Sequence, residues 1–134
     1  MCRVSKSRKT GETMAVKIKS KYYLAGPMTG IEGYNFKRFD EFAKELRARN
    51  YEVISPAEIA RTLPGEPGDL PYQEYVRADL KGLLQCSDLI LIPGWRASRG
   101  AMMELNIADF LKMRVWTINS DYSLKRENYG DTSV

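Results

Sequence analysis

The chain has 134 residues, 43% of them apolar and 28% charged, the proportions of an ordinary globular protein, which exclude a collagen-like, coiled-coil or wholly disordered chain. One domain is expected at this length, burying about two-thirds of its surface. The net charge is +4 and there is no histidine, so Ser-His or Cys-His catalysis and imidazole-ligated metal sites are ruled out.

The chain opens on a basic arm. Residues 1–21 carry seven lysines and arginines against Glu12 alone, which leaves the remainder slightly acidic. Such an arm reads as solvated and can touch phosphates without reading sequence. No groove-entering motif accompanies it, so nucleic acid is an unlikely partner on this reading, and residues 22–134 are taken as the folded domain. Cys2 and Cys86 stand far apart and suggest neither a disulfide framework nor a metal cluster. Met1-Cys2-Arg3 opens no signal-peptide pattern, and the longest apolar run, Leu89 to Ile92, is too short to cross a bilayer. A cytoplasmic protein without a membrane partner is expected.

Tyr22-Tyr23-Leu24-Ala25 reads as a buried strand that runs into a glycine-punctuated loop, Gly26-Pro27-Met28-Thr29-Gly30. Phe36, Phe39, Ala43 and Leu46 then recur at helical spacing, with Asn35 placed to cap the helix. Tyr51 to Ser55 makes a second strand ahead of Pro56, and Leu63 to Pro71 is too rich in proline and glycine for regular structure. The stripe Tyr72, Tyr75, Val76, Leu80, Leu83 and Leu84 predicts a second helix. Leu89 to Ile92 is the clearest strand. Gly100 opens a third helix running to about Met113, and Arg114 to Asn119 is the last strand. Strands alternating with helices predict an α/β fold, a flavodoxin-like open parallel sheet with helices on both faces in a single domain.

In that fold ligands sit beyond the carboxyl ends of the strands, where strand order reverses between the first and third strands. The two loops there are Gly26 to Gly30 and Pro93 to Gly100. Their small residues let backbone amides approach a ligand, and the second loop feeds a helix amino end suited to an anion such as phosphate. Each loop also has a plain structural reading, as a turn and as a helix cap. Two acids occupy positions where acids are costly. Glu104 lies in a helix apolar nearly all round, and Asp79 shares the buried stripe of the second helix. The alternatives are attraction of Glu104 to its own helix amino end, and an ion pair of Asp79 with Arg77 or Lys81. Two carboxylates beside a phosphate cradle suit cleavage of a glycosidic bond.

Tyr23-Leu24-Ala25-Gly26-Pro27, then Asp79-Leu80 ahead of Cys86-Ser87-Asp88-Leu89-Ile90, then Ser98-Arg99-Gly100-Ala101-Met102-Met103-Glu104-Leu105 together resemble the nucleoside 2-deoxyribosyltransferase-like superfamily, which includes 2′-deoxynucleoside 5′-phosphate N-hydrolases. The resemblance spans Tyr22 to Asn119. It implies that Glu104 attacks the anomeric carbon, that Asp79 orients it and handles the proton on the leaving base, and that Tyr23 lies near both. It further implies that Ser98 and Gly100 hold the 5′-phosphate and that the backbone from Gly26 to Gly30 completes the cradle. The phosphate hydrolases carry an arginine where this chain has Thr29, so Arg96 or Arg99 would have to supply that contact. The expected activity is hydrolysis of a (deoxy)nucleoside 5′-monophosphate, or base transfer, by a homodimer or higher homo-oligomer without metal or cofactor. A non-catalytic nucleotide-binding module is the alternative.

Overall fold

The computed structural model describes residues 19–128. Most of the basic arm, residues 1–18, and residues 129–134 lie outside the described residues. The arm's last lysines, Lys19 and Lys21, each sit 3.6 Å from the Glu52 carboxylate.

Strands β1 (Tyr22–Ala25), β2 (Val53–Ile54), β3 (Asp88–Leu91), β4 (Arg114–Ile118) and β5 (Leu124–Glu127) form one sheet in the order β2-β1-β3-β4-β5. The first four run parallel, with Tyr23 level with Ile54 on one side and Leu89 on the other. This is the flavodoxin-like order, and the reversal point falls between β1 and β3 as expected. One strand departs from the all-parallel expectation. β5 returns antiparallel on β4, pairing Trp116 with Arg126 and Thr117 with Lys125. Its sequence Leu-Lys-Arg-Glu shows no apolar alternation, because an edge strand keeps Lys and Arg toward water and so resists pairing with other chains.

Helices α1 (Phe36–Ala48), α2 (Pro56–Thr62), α3 (Tyr72–Leu83) and α4 (Arg99–Phe110) cover the sheet. On one face α1 lays Phe39, Phe42, Ala43 and Leu46 against Leu24, Ile90 and Ile92. On the other, α3 and α4 bring Leu83, Ala101, Leu105 and Ala108 onto Tyr23, Ala25, Leu89 and Leu91. Alternate residues of the buried strands therefore serve opposite cores, as period-two geometry requires. None of the described helices is long and apolar enough to cross a membrane.

Three local expectations are corrected. Asn35 does not cap α1. It sits in the left-handed region at φ 61° without a side-chain cap bond, and its Nδ2 donates instead to the Pro27 carbonyl at 2.9 Å, tying down the first candidate loop. A short helix, α2, fills the stretch between the expected second strand and the Leu63 to Pro71 loop, for which no element is expected. Ser55 caps it by accepting from Ala57 N, with Pro56 as its first residue, where proline's missing N–H costs nothing. The third expected helix stops three residues early, because Lys112 turns left-handed at φ 59°.

Candidate functional site

The site begins at the middle of β1. Tyr23 points into the α3–α4 core with no exposed surface. Opposite it stands Glu104, which belongs to the inward set Ala101, Glu104, Leu105 and Ala108 of α4. The helix is apolar nearly all round but not buried all round, since Met102 and Phe110 point outward. Glu104 instead shares the buried stripe and is only 6% exposed. The Tyr23 hydroxyl donates to Glu104 Oε2 at 2.8 Å. Among the described residues this is its one side-chain partner. Burial pushes the Glu104 carboxyl up to about 8, the Tyr23 hydrogen bond pulls against that, and the charge of Asp79 adds to it. The hydroxyl of Tyr23 is in turn held well above its ordinary value, first by burial and then by the charges of Glu104 and Asp79.

Asp79 arrives from α3. Gly82, one turn later on the same helix, lets α3 settle close to the sheet. A Cβ there would stand 2.8 Å from Ile59 Cδ1, 3.2 Å from Ile54 Cγ2 and 3.6 Å from Tyr23 Cε1. The glycine costs about 1 kcal/mol of helix propensity and allows Asp79 to reach the pair. Burial alone raises the Asp79 carboxyl to about 7. Neither acid makes an ion pair among the described residues, and Asp79 has no hydrogen bond there. The ion pairs considered with Arg77 and Lys81 do not form. Attraction to the amino end of α4 does not explain Glu104 either, since it lies beyond the helix's first turn and such attraction fades within that turn.

The two loops meet at the carboxyl ends of β1 and β3. Ser98 Oγ approaches the Gly26 carbonyl at 3.4 Å and accepts from Ala101 N at 3.1 Å, so it caps α4. Gly94, at φ 93°, packs against Pro27, where an added Cβ would lie 3.1 Å from Pro27 Cγ. Gly26 is dictated by packing, because a Cβ there would run into the Ile92 side chain. Met28 packs on the α1-side core, while Thr29 and Gly30 are exposed. Gly30 takes the left-handed region at φ 83° with open space where a side chain would go. Arg99 is exposed at the first turn of α4, and Arg96 lays its guanidinium over Trp95 at 4.5 Å. The structure therefore brings Tyr23 and Glu104 together as a buried pair with the half-buried Asp79 beside them, and joins the two loops through Ser98 Oγ and the Gly26 carbonyl.

A family model described as "Domain of unknown function (DUF4406)" matches residues 20–117, which includes every one of these residues. The chain belongs to that family. No curated protein matches it. Two solved structures share the fold of this DUF4406 chain. One comes from work characterising the 2-deoxyribosyltransferase of Bacillus psychrosaccharolyticus, with a TM-score of 0.57 and 23% identity over 74% of this chain and 72% of that one. The other is a conserved protein from Enterococcus faecalis V583, with a TM-score of 0.60 and 17% identity over 78% and 65%. The nucleoside 2-deoxyribosyltransferase-like fold expected from the sequence is thereby shown.

Two features of the DUF4406 chain escaped the sequence reading. Gly82 was legible only as a glycine inside a helical stripe, a pattern that marks close packing or function. Tyr72 and Leu84, placed on the buried stripe of α3, are 57% and 62% exposed. Tyr72 instead carries its hydroxyl over α4, 3.5 Å from where a Cβ on Gly100 would lie. A depression of about 360 Å³ is also present, but on the α1 side of the sheet, away from Glu104.

Proposed function

We propose that the protein cleaves the N-glycosidic bond of a (deoxy)nucleoside 5′-monophosphate, with Glu104 as nucleophile. The observation that supports this most directly is the buried Tyr23–Glu104 pair at 2.8 Å, joined by a second acid and, among the described residues, balanced by no basic side chain. A hidden carboxylate with a single donor is costly to keep and suits a partner that is cationic only while reacting. A sugar losing its base is such a partner.

In this reading Glu104 attacks the anomeric carbon as the C–N bond breaks. The bonding pair leaves with the base, and Asp79 supplies the proton that neutralises it. Water then attacks the same carbon, Asp79 takes a proton from that water, and the ester bond to Glu104 breaks to restore its carboxylate. A second base in place of water gives transfer. Tyr23 positions Glu104 and steadies its ionised form. The phosphate belongs at the start of α4, against the amides of Arg99 and Gly100, the Ser98 hydroxyl and the Gly26 to Gly30 backbone. No metal or cofactor takes part in these steps. The same reading takes the protein as cytoplasmic and as a homo-oligomer, the association alone being supported by Phe110, an aromatic 85% exposed on the outer face of α4.

Free base released from a panel of deoxynucleotides, ribonucleotides and unphosphorylated nucleosides, separated by chromatography, tests the proposal. Release from at least one 5′-monophosphate, lost in Glu104→Gln, is expected. Equal release by both proteins removes it. The exposed Thr29, in place of a cationic phosphate contact, favours a second reading as a binding module. Tight nucleotide binding without base release by the unaltered chain would establish that one instead.

A further inference from the structure

The depression on the α1 side is built largely from parts that the glycosidic reaction leaves unused. Arg38, Glu41 and Phe42 line it from α1, Ile118, Asn119, Ser120 and Tyr122 from the end of β4 and the turn that follows, and Pro93 from the start of the second loop. At about 360 Å³ it falls within the range of small-molecule sites, roughly 300–1,000 Å³. Phe42 belongs to the α1-side core and Tyr23 to the opposite one, so the sheet separates this place from Glu104.

Its walls are flat and aromatic. Phe42 and Tyr122 meet edge to face with ring centres 5.8 Å apart. The Arg38 guanidinium lies 5.0 Å from the centre of the Phe42 ring, and Arg49 lies 5.4 Å from that of Tyr122. Tyr122 holds this place from a left-handed backbone at φ 68°, a conformation that an L side chain adopts only at a cost and that glycine would adopt freely. Strain of this kind persists where the side chain is needed or the surroundings impose it.

Its polar groups are of both signs. Arg38 and Glu41 form no ion pair with each other or with another described residue. Asn119 spends Nδ2 on Ser123 Oγ at 2.9 Å and keeps its amide oxygen as an acceptor. A strongly anionic ligand would face Glu41 and a cationic one Arg38. A neutral flat ring with donors and acceptors along its edge suits all of these groups, stacking on the Arg38 guanidinium and the half-exposed Tyr122 above the buried Phe42 ring.

We propose that this depression is a second binding site, separate from the Glu104 site, for a nitrogen heterocycle of the nucleobase kind. The claim stands on the residues of the depression and does not rest on the glycosidase reading.

Adenine, cytosine and ribose 5-phosphate titrated into the ¹⁵N-labelled full chain test it. A saturable shift of the Phe42, Asn119, Ser120 and Tyr122 amides by a base, and none by ribose 5-phosphate, is expected. The same shift in Glu104→Gln keeps the outcome independent of catalysis. Arg38→Ala and Tyr122→Gly should each weaken binding by about tenfold or more, the loss of a single stacking contact. Glycine suits the backbone at 122, and should that variant not fold, Arg38→Ala decides alone. No saturable shift up to the solubility of the bases overturns the proposal. So do shifts confined to Tyr23 and α4, equal response to ribose 5-phosphate, or affinity unchanged by the substitutions.

Discussion

Glu104 must be ionised to attack a sugar, yet it stands where ionisation is resisted. Its carboxyl is raised to about 8 by burial and by Asp79, and Asp79 itself is raised to about 7 by burial. The two acids titrate as a pair, and between those values the pair holds one proton. The form that works is the one with that proton on Asp79 and the charge on Glu104, a distribution that a developing sugar cation favours. Base release should therefore be greatest between about pH 7 and 8, falling on the acid side as the pair gains its second proton and on the alkaline side as it loses its last. Tyr23 enters through its hydrogen bond, which lowers the Glu104 value. In Tyr23→Phe the alkaline limb, which follows Glu104, should move to higher pH, with a smaller maximal rate, as read from rate profiles of the two proteins. A profile with reduced height and an unmoved alkaline limb would show Tyr23 to be packing only. The acids could be singled out from the chain because their neighbours are apolar at helical spacing. What brings Asp79 within reach of Glu104 is less visible, since the absence of a side chain at Gly82 acts through how near two elements can come.

Helix α4 carries most of what the site needs, and its start is used twice. Ser98 caps the helix through Ala101 N, and in the proposed function it also faces the phosphate. The two roles separate by substitution. Ser98→Ala removes the cap and should cost about 1 kcal/mol of stability, measured by urea unfolding. Ser98→Asp keeps a capping oxygen and favours the helix dipole, so stability should hold. Its negative charge would oppose a phosphate, and KM for a 5′-monophosphate should rise while that for the unphosphorylated nucleoside does not. If Ser98→Asp leaves both KM values alone, the phosphate lies elsewhere. The same elements show where sequence reading reaches. β1, β3, α1 and α3 declare themselves through apolar runs or stripes that a core demands. α2 had a legible signal in Ser55-Pro56, a cap followed by proline at the first helical position, which the reading of Pro56 as a strand terminator obscured. β5 had little, because its pairing with β4 is paid for by backbone bonds and by contacts such as Thr117 Oγ1 to Glu127 Oε2 at 2.8 Å. In the loop from Gly26 to Gly30 the sequence does not show that Gly26, read as a ligand approach, is also required by Ile92.

For the molecule as a whole the buried acids set a pH dependence opposite to that of most folded proteins. Between pH 4.5 and about 8 the unfolded chain releases the Glu104 proton while the folded chain keeps it. The same holds for Asp79 between 3.8 and about 7. The folded state binds more protons across that window, so its stability falls as pH rises through it and is fully present only below it. Asp88 acts the other way. Burial works against its charge, but bonds from Arg114, Ser87 and Trp116 overcome that and hold its carboxyl below the ordinary range, so its contribution is lost in acid, below about pH 3.8. Stability should therefore be greatest near pH 4 and fall by several kcal/mol toward pH 8.5, at about 1.4 kcal/mol for each tenfold change in proton affinity. Glu104→Gln keeps the shape of the side chain and removes its ionisation. Urea unfolding of the two proteins at pH 5 and 8.5 should show the variant losing less stability over that interval, and being the more stable of the two at pH 8.5 while releasing no base. A protein that gains stability from pH 5 to 8.5, or a variant with the same loss as the parent, would mean that Glu104 is not held in the dry environment on which its reactivity depends.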